Sequence, residues 1–320
     1  MNKRVDDLSG VIPVIPTPFK DNEEIDESAV GHLIEFAISC GVRGVCLPAY
    51  ASEYYKLSDE ERLRLVEIAV KQADGRLEIV AQCNSPSLKI AIQLAQTCRR
   101  LGANVISIAV PRQFSLPEFS LRQYLSEFLE SIKPMPVLIQ DFNPGGESLS
   151  ISFIAGLNEA HSNFKYLKLE EPLSAKKVSE IIAASEGRIN LFEGWGGLYL
   201  MELVSVGIAG VMPGLALSDL LQQVFKWRKD GLNEEAFDLF ERIIPQICFS
   251  LQNLELFHYA EKELLVARGV LRTSQCRKAY YSPDEHTVRY VAELNRRVLN
   301  VISERRDHTG ESAFDRISIL

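Results

Sequence analysis

A chain of 320 residues, 46% of them hydrophobic, can bury a large core and is too apolar for a disordered protein. Its formal net charge of −8 argues against nucleic acid as a partner, which would need a basic face. An anionic small substrate is disfavoured only weakly, because local charge can oppose the global sign.

No run of about 18 apolar residues suggests a membrane span. The segment Met1–Asp7 turns acidic before any apolar stretch and does not read as a signal peptide. The six cysteines (40, 46, 83, 98, 248, 276) are scattered and form no CxxC pair, which favours a reducing cytoplasm, buried thiols and no structural zinc. The five histidines (32, 161, 258, 286, 308) are equally dispersed, so neither a His-based metal site nor a Ser-His-Asp triad is supported.

In chain order, Val11–Phe19 is the first predicted strand, followed by an acid-initiated helix over Asp26–Cys40. Then come Gly44–Ala49 as strand, Ser58–Gln72 as helix, Leu77–Cys83 as strand and Pro86–Leu101 as helix, with Ser58-Asp59-Glu60-Glu61 shaped as a capping box. Asn104–Val110 and a helix from about Glu118 to Ile132 make the fourth pair, Pro136–Asp141 and Ile151–Ala160 the fifth. Tyr166–Glu170 with Ala175–Ser185 is the sixth, Asn190–Trp195 with Tyr199–Val206 the seventh, Gly210–Gly214 with Ser218–Lys229 the eighth.

Eight such units in about 230 residues fit a closed (β/α)8 TIM barrel of the α/β class. An open doubly wound sheet would want a Gly-rich first turn that Val11–Asn22 lacks. Asn233–Phe257, Ala260–Gly269 and Pro283–Arg305 read as additional C-terminal helices. The expected organisation is therefore a barrel over 1–230, helices packed on it over 231–306, and a frayed tail over 307–320.

One residue breaks the pattern. Lys168 lies inside the apolar strand Tyr166-Leu167-Lys168-Leu169-Glu170, and a buried ammonium is expensive. Alternation puts Tyr166, Lys168 and Glu170 on one face, with the leucines on the helix-packed face, so Lys168 points into the barrel. It reads either as an amine nucleophile for carbonyl substrates or as a lysine that snorkels to the mouth or pairs with Glu170 or Glu193. Glu170-Glu171 reads as a solvated loop start rather than a metal site. The run Glu193-Gly194-Trp195-Gly196-Gly197 reads as either an anion-binding loop or a tight turn. Arg112, after the fourth strand, is either a carboxylate ligand or solvated.

These segments together resemble the Schiff-base aldolases and lyases typified by dihydrodipicolinate synthase and N-acetylneuraminate lyase. The resemblance covers roughly residues 8 to 305. It rests on Ile15-Pro16-Thr17-Pro18-Phe19, Glu53 followed by Leu57-Ser58-Asp59-Glu60-Glu61-Arg62, Pro136-Val137-Leu138-Ile139, Leu167-Lys168-Leu169-Glu170 and Gly207–Gly214. It implies a barrel with C-terminal helices, often a homo-oligomer (dimer or tetramer), and Lys168 as the residue that condenses with pyruvate or a related 2-oxo acid. No metal and no organic cofactor is expected, because the protonated imine supplies the polarisation.

The chain also departs from that family. The usual Gly-Thr-Thr-Gly-Glu-like turn is Ala49-Tyr50-Ala51-Ser52-Glu53, leaving Ser52 and backbone amides, with Ala51, to meet a substrate carboxylate. The proton-relay tyrosine of the fifth strand is replaced by Gln140, and the second tyrosine falls at about Gln113. The arginine that follows the fifth strand is absent from Gly145-Gly146-Glu147. Glutamine does not titrate near neutrality, so Tyr50, or a water held by Gln140, is expected to replace the relay. Gly194 and Met212 complete the expected substrate contacts, and Arg277 is expected to be structural.

The sequence therefore predicts a cytoplasmic lyase of the class I aldolase type, making or breaking C–C or C–O bonds through a Lys168 iminium. The altered turn and missing arginine point to a specialised pathway. Two alternatives remain: a catalytically silent barrel that binds a metabolite or partner, and a non-covalent acid/base enzyme using Glu53, Asp141 and Glu170.

Overall fold

A computed structural model describes residues 8–112, 116–143, 146, 148–172 and 174–309, with side chains to 305. Eight parallel strands run β1 (Gly10–Val11), β2 (Gly44–Leu47), β3 (Glu78–Gln82), β4 (Val105–Ala109), β5 (Val137–Phe142), β6 (Phe164–Glu170), β7 (Asn190–Glu193) and β8 (Gly210–Val211). Their order is β1-β8-β7-β6-β5-β4-β3-β2. The seam between β1 and β2 is closed by Pro13 to Ile15. The Cys46 amide donates to the Pro13 carbonyl at 2.9 Å, the Ile15 amide donates to the Cys46 carbonyl at 3.0 Å, and Val14 bridges both Cys46 and Gly214.

The first and last strands are shorter than the sequence suggests. Pro13, Pro16 and Pro18 carry no amide hydrogen, and Pro213 likewise interrupts the end of β8, so a continuous ladder cannot form there.

Helices α1 (Glu27–Ser39), α2 (Asp59–Ala73), α3 (Leu88–Leu101), α4 (Glu118–Ser131), α5 (Ile151–Ala160), α6 (Ala175–Ala184), α7 (Leu200–Val206) and α8 (Ser218–Lys229) follow the strands in turn. The predicted capping box opens α2: the Glu61 amide donates to Ser58 Oγ at 3.2 Å, and the Ser58 amide donates to the Glu61 carboxylate at 2.9 Å. Beyond the barrel lie α9 (Asn233–Ser250), α10 (Leu254–Ala267) and α11 (Glu285–Thr309). The break between the first two falls at 251–253 rather than after Phe257. Asn253 causes it, its side chain accepting the amide hydrogens of Glu255 and Leu256 and so starting a new helix.

Two apolar layers result. The outer one joins strands to helices and includes Val137, Ile139, Leu167 and Leu169. The inner one fills the barrel with Ile12, Val14, Val80, Leu138, Tyr166 and Phe192 among others. Tyr166 and Phe192 meet edge to face with ring centroids 6.2 Å apart, plugging the interior below Lys168. Polar side chains pointing inward can therefore open only towards the C-terminal mouth.

Candidate active site at the barrel mouth

Lys168 is in register with Gln140 of β5 on one side and Phe192 of β7 on the other. It is 7% exposed, and its Nζ lies 3.0 Å from Glu170 Oε1. Gln140 Nε2 donates to the same oxygen at 2.5 Å, and Gln82 Nε2 in turn donates to Gln140 Oε1. A chain of amides from β3 to β5 thus fixes the carboxylate beside the amine. Because the Gln140 oxygen is taken by Gln82, its NH₂ must face Glu170. Gln140 accordingly positions Glu170, where the sequence suggested a holder of water.

Glu170 is the main correction. It is not a solvated loop residue: its side chain is 9% exposed and faces the cavity with Lys168. The signal was present in the period-2 alternation that placed Tyr166, Lys168 and Glu170 on one face. Gln82 was missed altogether, though it follows the inward-facing Val80 at the same period.

The cavity holds about 360 Å³ and is lined by Lys168, Glu170, Gln140, Tyr50, Ala51, Gly194 and Met212, with Phe142, Trp195, Leu251 from the break after α9, and Leu254 and Phe257 from α10. Six of the eight side chains expected at the site therefore meet there. Ser52 and Arg112 do not. Ser52 is fully buried: its hydroxyl donates to the Ile15 carbonyl at 2.5 Å and accepts the Ala49 amide at 2.9 Å, which ties the turn to the first strand. Arg112 pairs with Asp141 at 2.7 Å, and the other Asp141 oxygen takes the Leu149 amide at 2.6 Å. Asp141 has the outward parity of Val137 and Ile139. Gln113, Gly145 and Glu147 lie outside the described residues.

Tyr50 stacks near Phe142 and Tyr54, with centroids 5.3 and 5.1 Å away. Burial raises its phenol pKa above the usual range, helped by a hydrogen bond to the Tyr54 side chain. It is therefore a hydrogen-bond donor and a poor base. Cys46, on the barrel wall, has its thiol pushed up to about 12 by burial and is inert.

The glycine-rich run resolves towards the tight turn. Glu193 takes the amide hydrogens of Trp195 at 3.0 Å, Gly197 at 2.8 Å and Tyr199 at 3.4 Å, so the loop wraps a carboxylate of its own chain. Burial pushes Glu193 up to about 7, against the pull of the Gly197 and Tyr199 amides. Gly194 has a different reason to be glycine: a Cβ there would stand 2.3 Å from Glu170 Cγ and 2.8 Å from Lys168 Cε. The two reactive side chains cross directly over its backbone.

Glu53 is wholly buried away from the cavity, bound to Lys262 at 2.5 Å and Lys56 at 3.0 Å. Arg277 clasps Glu61 with two nitrogens at 2.8 and 2.7 Å and the Glu23 carbonyl at 2.7 Å, as a structural residue would. Among the described residues no group of three or more His, Cys, Asp or Glu side chains is placed to hold a metal ion.

The model of the Dihydrodipicolinate synthetase family matches residues 7–295. L-2-keto-3-deoxyarabonate dehydratase of Azospirillum brasilense is 24% identical over 272 residues, 84% of this chain and 87% of that one. Among solved structures, dihydrodipicolinate synthase from Rhodopseudomonas palustris superposes with a TM-score of 0.84 at 24% identity, covering 90% of this chain and 97% of that one. N-acetylneuraminate lyase from Fusobacterium nucleatum gives 0.82 at 20% identity, over 90% and 98%. The barrel with its C-terminal helices and the near-complete family match agree: this chain belongs to the dihydrodipicolinate synthetase family.

Proposed function

We propose that the protein is a Schiff-base lyase in which Lys168 condenses with a 2-oxo acid and Glu170 performs the proton transfers that the family's tyrosine performs elsewhere. The observation that carries this reading is the 3.0 Å approach of Lys168 Nζ to Glu170 Oε1 in a cavity shut off from below. Attack on a carbonyl requires the free amine, and Glu170 is the group placed to take its proton. Returning that proton to the carbinolamine oxygen, and then relaying a second one to it from the nitrogen, lets water leave and forms the iminium.

The iminium acidifies the neighbouring carbon. Glu170, again a carboxylate, takes that proton, and the electron pair becomes the enamine double bond. The enamine expels hydroxide from the next carbon as Glu170 protonates it, and hydrolysis of the conjugated iminium releases the product and the lysine. Cleavage of a C–C bond uses the same sink, with Glu170 taking the proton of a β-hydroxyl. Support for elimination of water comes from the name of the Azospirillum relative, a dehydratase of a 2-keto-3-deoxy acid. The substrate carboxylate is assigned to the turn at Tyr50 and Ala51, which offers peptide groups in place of the family's hydroxyls. Tyr50 lends its ring to the cavity wall beside the reacting carbon, its hydroxyl being bonded to Tyr54. This reading includes a homo-oligomer working in the cytoplasm, supported by the family and the six free cysteines, and a specialised pathway, supported by the altered turn at Tyr50 and Ala51.

The non-covalent alternative loses Glu53 and Asp141, each buried in an ion pair away from the cavity. Borohydride reduction in the presence of 2-oxo acids tests the proposal. A single mass adduct on Lys168 is expected, forming more slowly in Glu170→Gln, where turnover falls by about 10²–10⁴. No adduct from folded protein across a panel of 2-oxo acids would overturn it.

A further inference from the structure

We propose that the substrate carries a bulky apolar group, an arene or an alkyl chain, beyond its 2-oxo acid end, and not a polyhydroxylated chain. The inference rests on the Schiff-base reading for where the oxo group sits, and on the rest of the cavity for what lies beyond it. Tyr50, Phe142, Trp195, Leu251, Leu254 and Phe257 supply its walls. Tyr50 and Phe142, with centroids 5.3 Å apart, make an aromatic shelf beside the lysine.

A hydroxylated chain needs hydrogen-bond partners, and beside the reacting carbon the described lining has mostly used its own, the buried Trp195 Nε1 being a donor left without a partner. Gln140 is bound at both ends, by Gln82 and to Glu170. The Tyr50 hydroxyl is bonded to the Tyr54 side chain. Gln252 and Asn253 are exposed residues; the Gln252 amide donates to the Phe249 carbonyl at 3.0 Å, and the Asn253 oxygen caps α10. Among the described residues of the lining only Lys168 and Glu170 carry charge, and both are assigned to the reacting carbon. Each sugar hydroxyl left without a partner costs about 1–3 kcal/mol in lost hydration. A second carboxylate would find no free cation among the described residues, because Arg112 is held by Asp141 outside the cavity.

Volume agrees with this chemistry. A cavity of about 150 Å³ is enough for a benzene molecule, and this one holds about 360 Å³, room for an aromatic ring beside a 2-oxo acid. Apolar walls that keep part of their surface open gain from such a ring by burial.

The test compares 4-phenyl-2-oxobutanoate with a 3-deoxy-2-oxopentonate. Binding to Lys168→Ala is measured by calorimetry, and adduct yield with borohydride is measured on the native enzyme. The aryl acid is expected to bind the variant roughly tenfold or more tightly and to give adduct at correspondingly lower concentration. Equal or tighter binding of the hydroxylated acid overturns the assignment. If Lys168→Ala does not fold, the ratio of native adduct yields decides in the same way. Aryl preference in the variant with no adduct on the native enzyme would sink the Schiff-base reading and leave the substrate class standing.

Discussion

Two buried lysines each face a glutamate in this molecule, Glu53 fully buried and Glu170 half-buried, and they are put to different uses. Lys262 of α10 is 1% exposed; it binds Glu53 at 2.5 Å and the Gln275 carbonyl at 2.9 Å, and sits 4.7 Å over the Phe19 ring. Lys168 is 7% exposed, and its one ion pair among the described residues, with Glu170 at 3.0 Å, opens onto a cavity. The deeper lysine is the structural one. Burial alone therefore does not identify a nucleophile: what matters is whether the amine has partners on every side or keeps one side for a substrate. Lys262 joins the second-strand turn to the C-terminal helices, whereas Lys168 keeps a side open to small molecules.

Exchanging each lysine for methionine breaks the comparison most directly. Lys168→Met should abolish the trapped adduct and cut turnover by about a thousandfold or more, since the covalent step has no substitute. Lys262→Met should instead cost about 3–5 kcal/mol of unfolding free energy, by leaving Glu53 short of a buried partner. Adduct yield per folded Lys262→Met molecule should stay near normal. Denaturant titration and mass spectrometry on the same samples separate the two outcomes, and a common pattern would mean the distinction drawn here is wrong.

A smaller perturbation sharpens the geometry of the open pair. Gly194→Ala places a methyl where Glu170 Cγ and Lys168 Cε now pass, so both must move. The expected stability loss is about 1–3 kcal/mol. The fall in turnover should exceed what that loss explains, because the lysine–carboxylate distance changes; turnover unchanged in the folded fraction would argue against the crossing.

The smallest effect concerns pH. Glu193 titrates near 7 in the folded chain against an ordinary 4.5. The native state then holds the extra proton between those values, so this group's contribution to stability is full below about 4.5 and is lost as pH rises to about 7. Glu193→Gln should remove that contribution, on the order of 3 kcal/mol across the window, so the difference curve between native protein and variant should slope between pH 4.5 and 7. Glu261 is raised to about 7 by the same burial and keeps its slope in both proteins, while His258, held down to about 3, slopes the other way in both. A difference curve without slope between pH 4.5 and 7 would show that the loop tolerates the charge.

Much of this was legible without coordinates. Local periodicity gives the eight strand–helix units, and alternation along Tyr166–Glu170 sends Lys168 inward, because a strand's two faces are fixed by its own geometry. The same rule put Glu170 beside Lys168, yet its position at a strand end made it look like a loop acid. Proline chemistry at 13, 16, 18 and 213 was equally visible and would have shortened the first and last strands.

What the tertiary structure alone decided is which distant groups meet. Gln82, Gln140 and Glu170 come from three strands, and their amide chain exists only because β3, β4, β5 and β6 lie side by side. That Arg112 is spent on Asp141, Ser52 on Ile15 and the glycine-rich amides on Glu193 is a matter of approach in space, for which the sequence carries no local signal. The chain by itself determined the barrel and the inward lysine, since both follow from short-range geometry repeated along it. The closed packing of eight strands decided which polar groups are already satisfied, and so which pair is left to do chemistry.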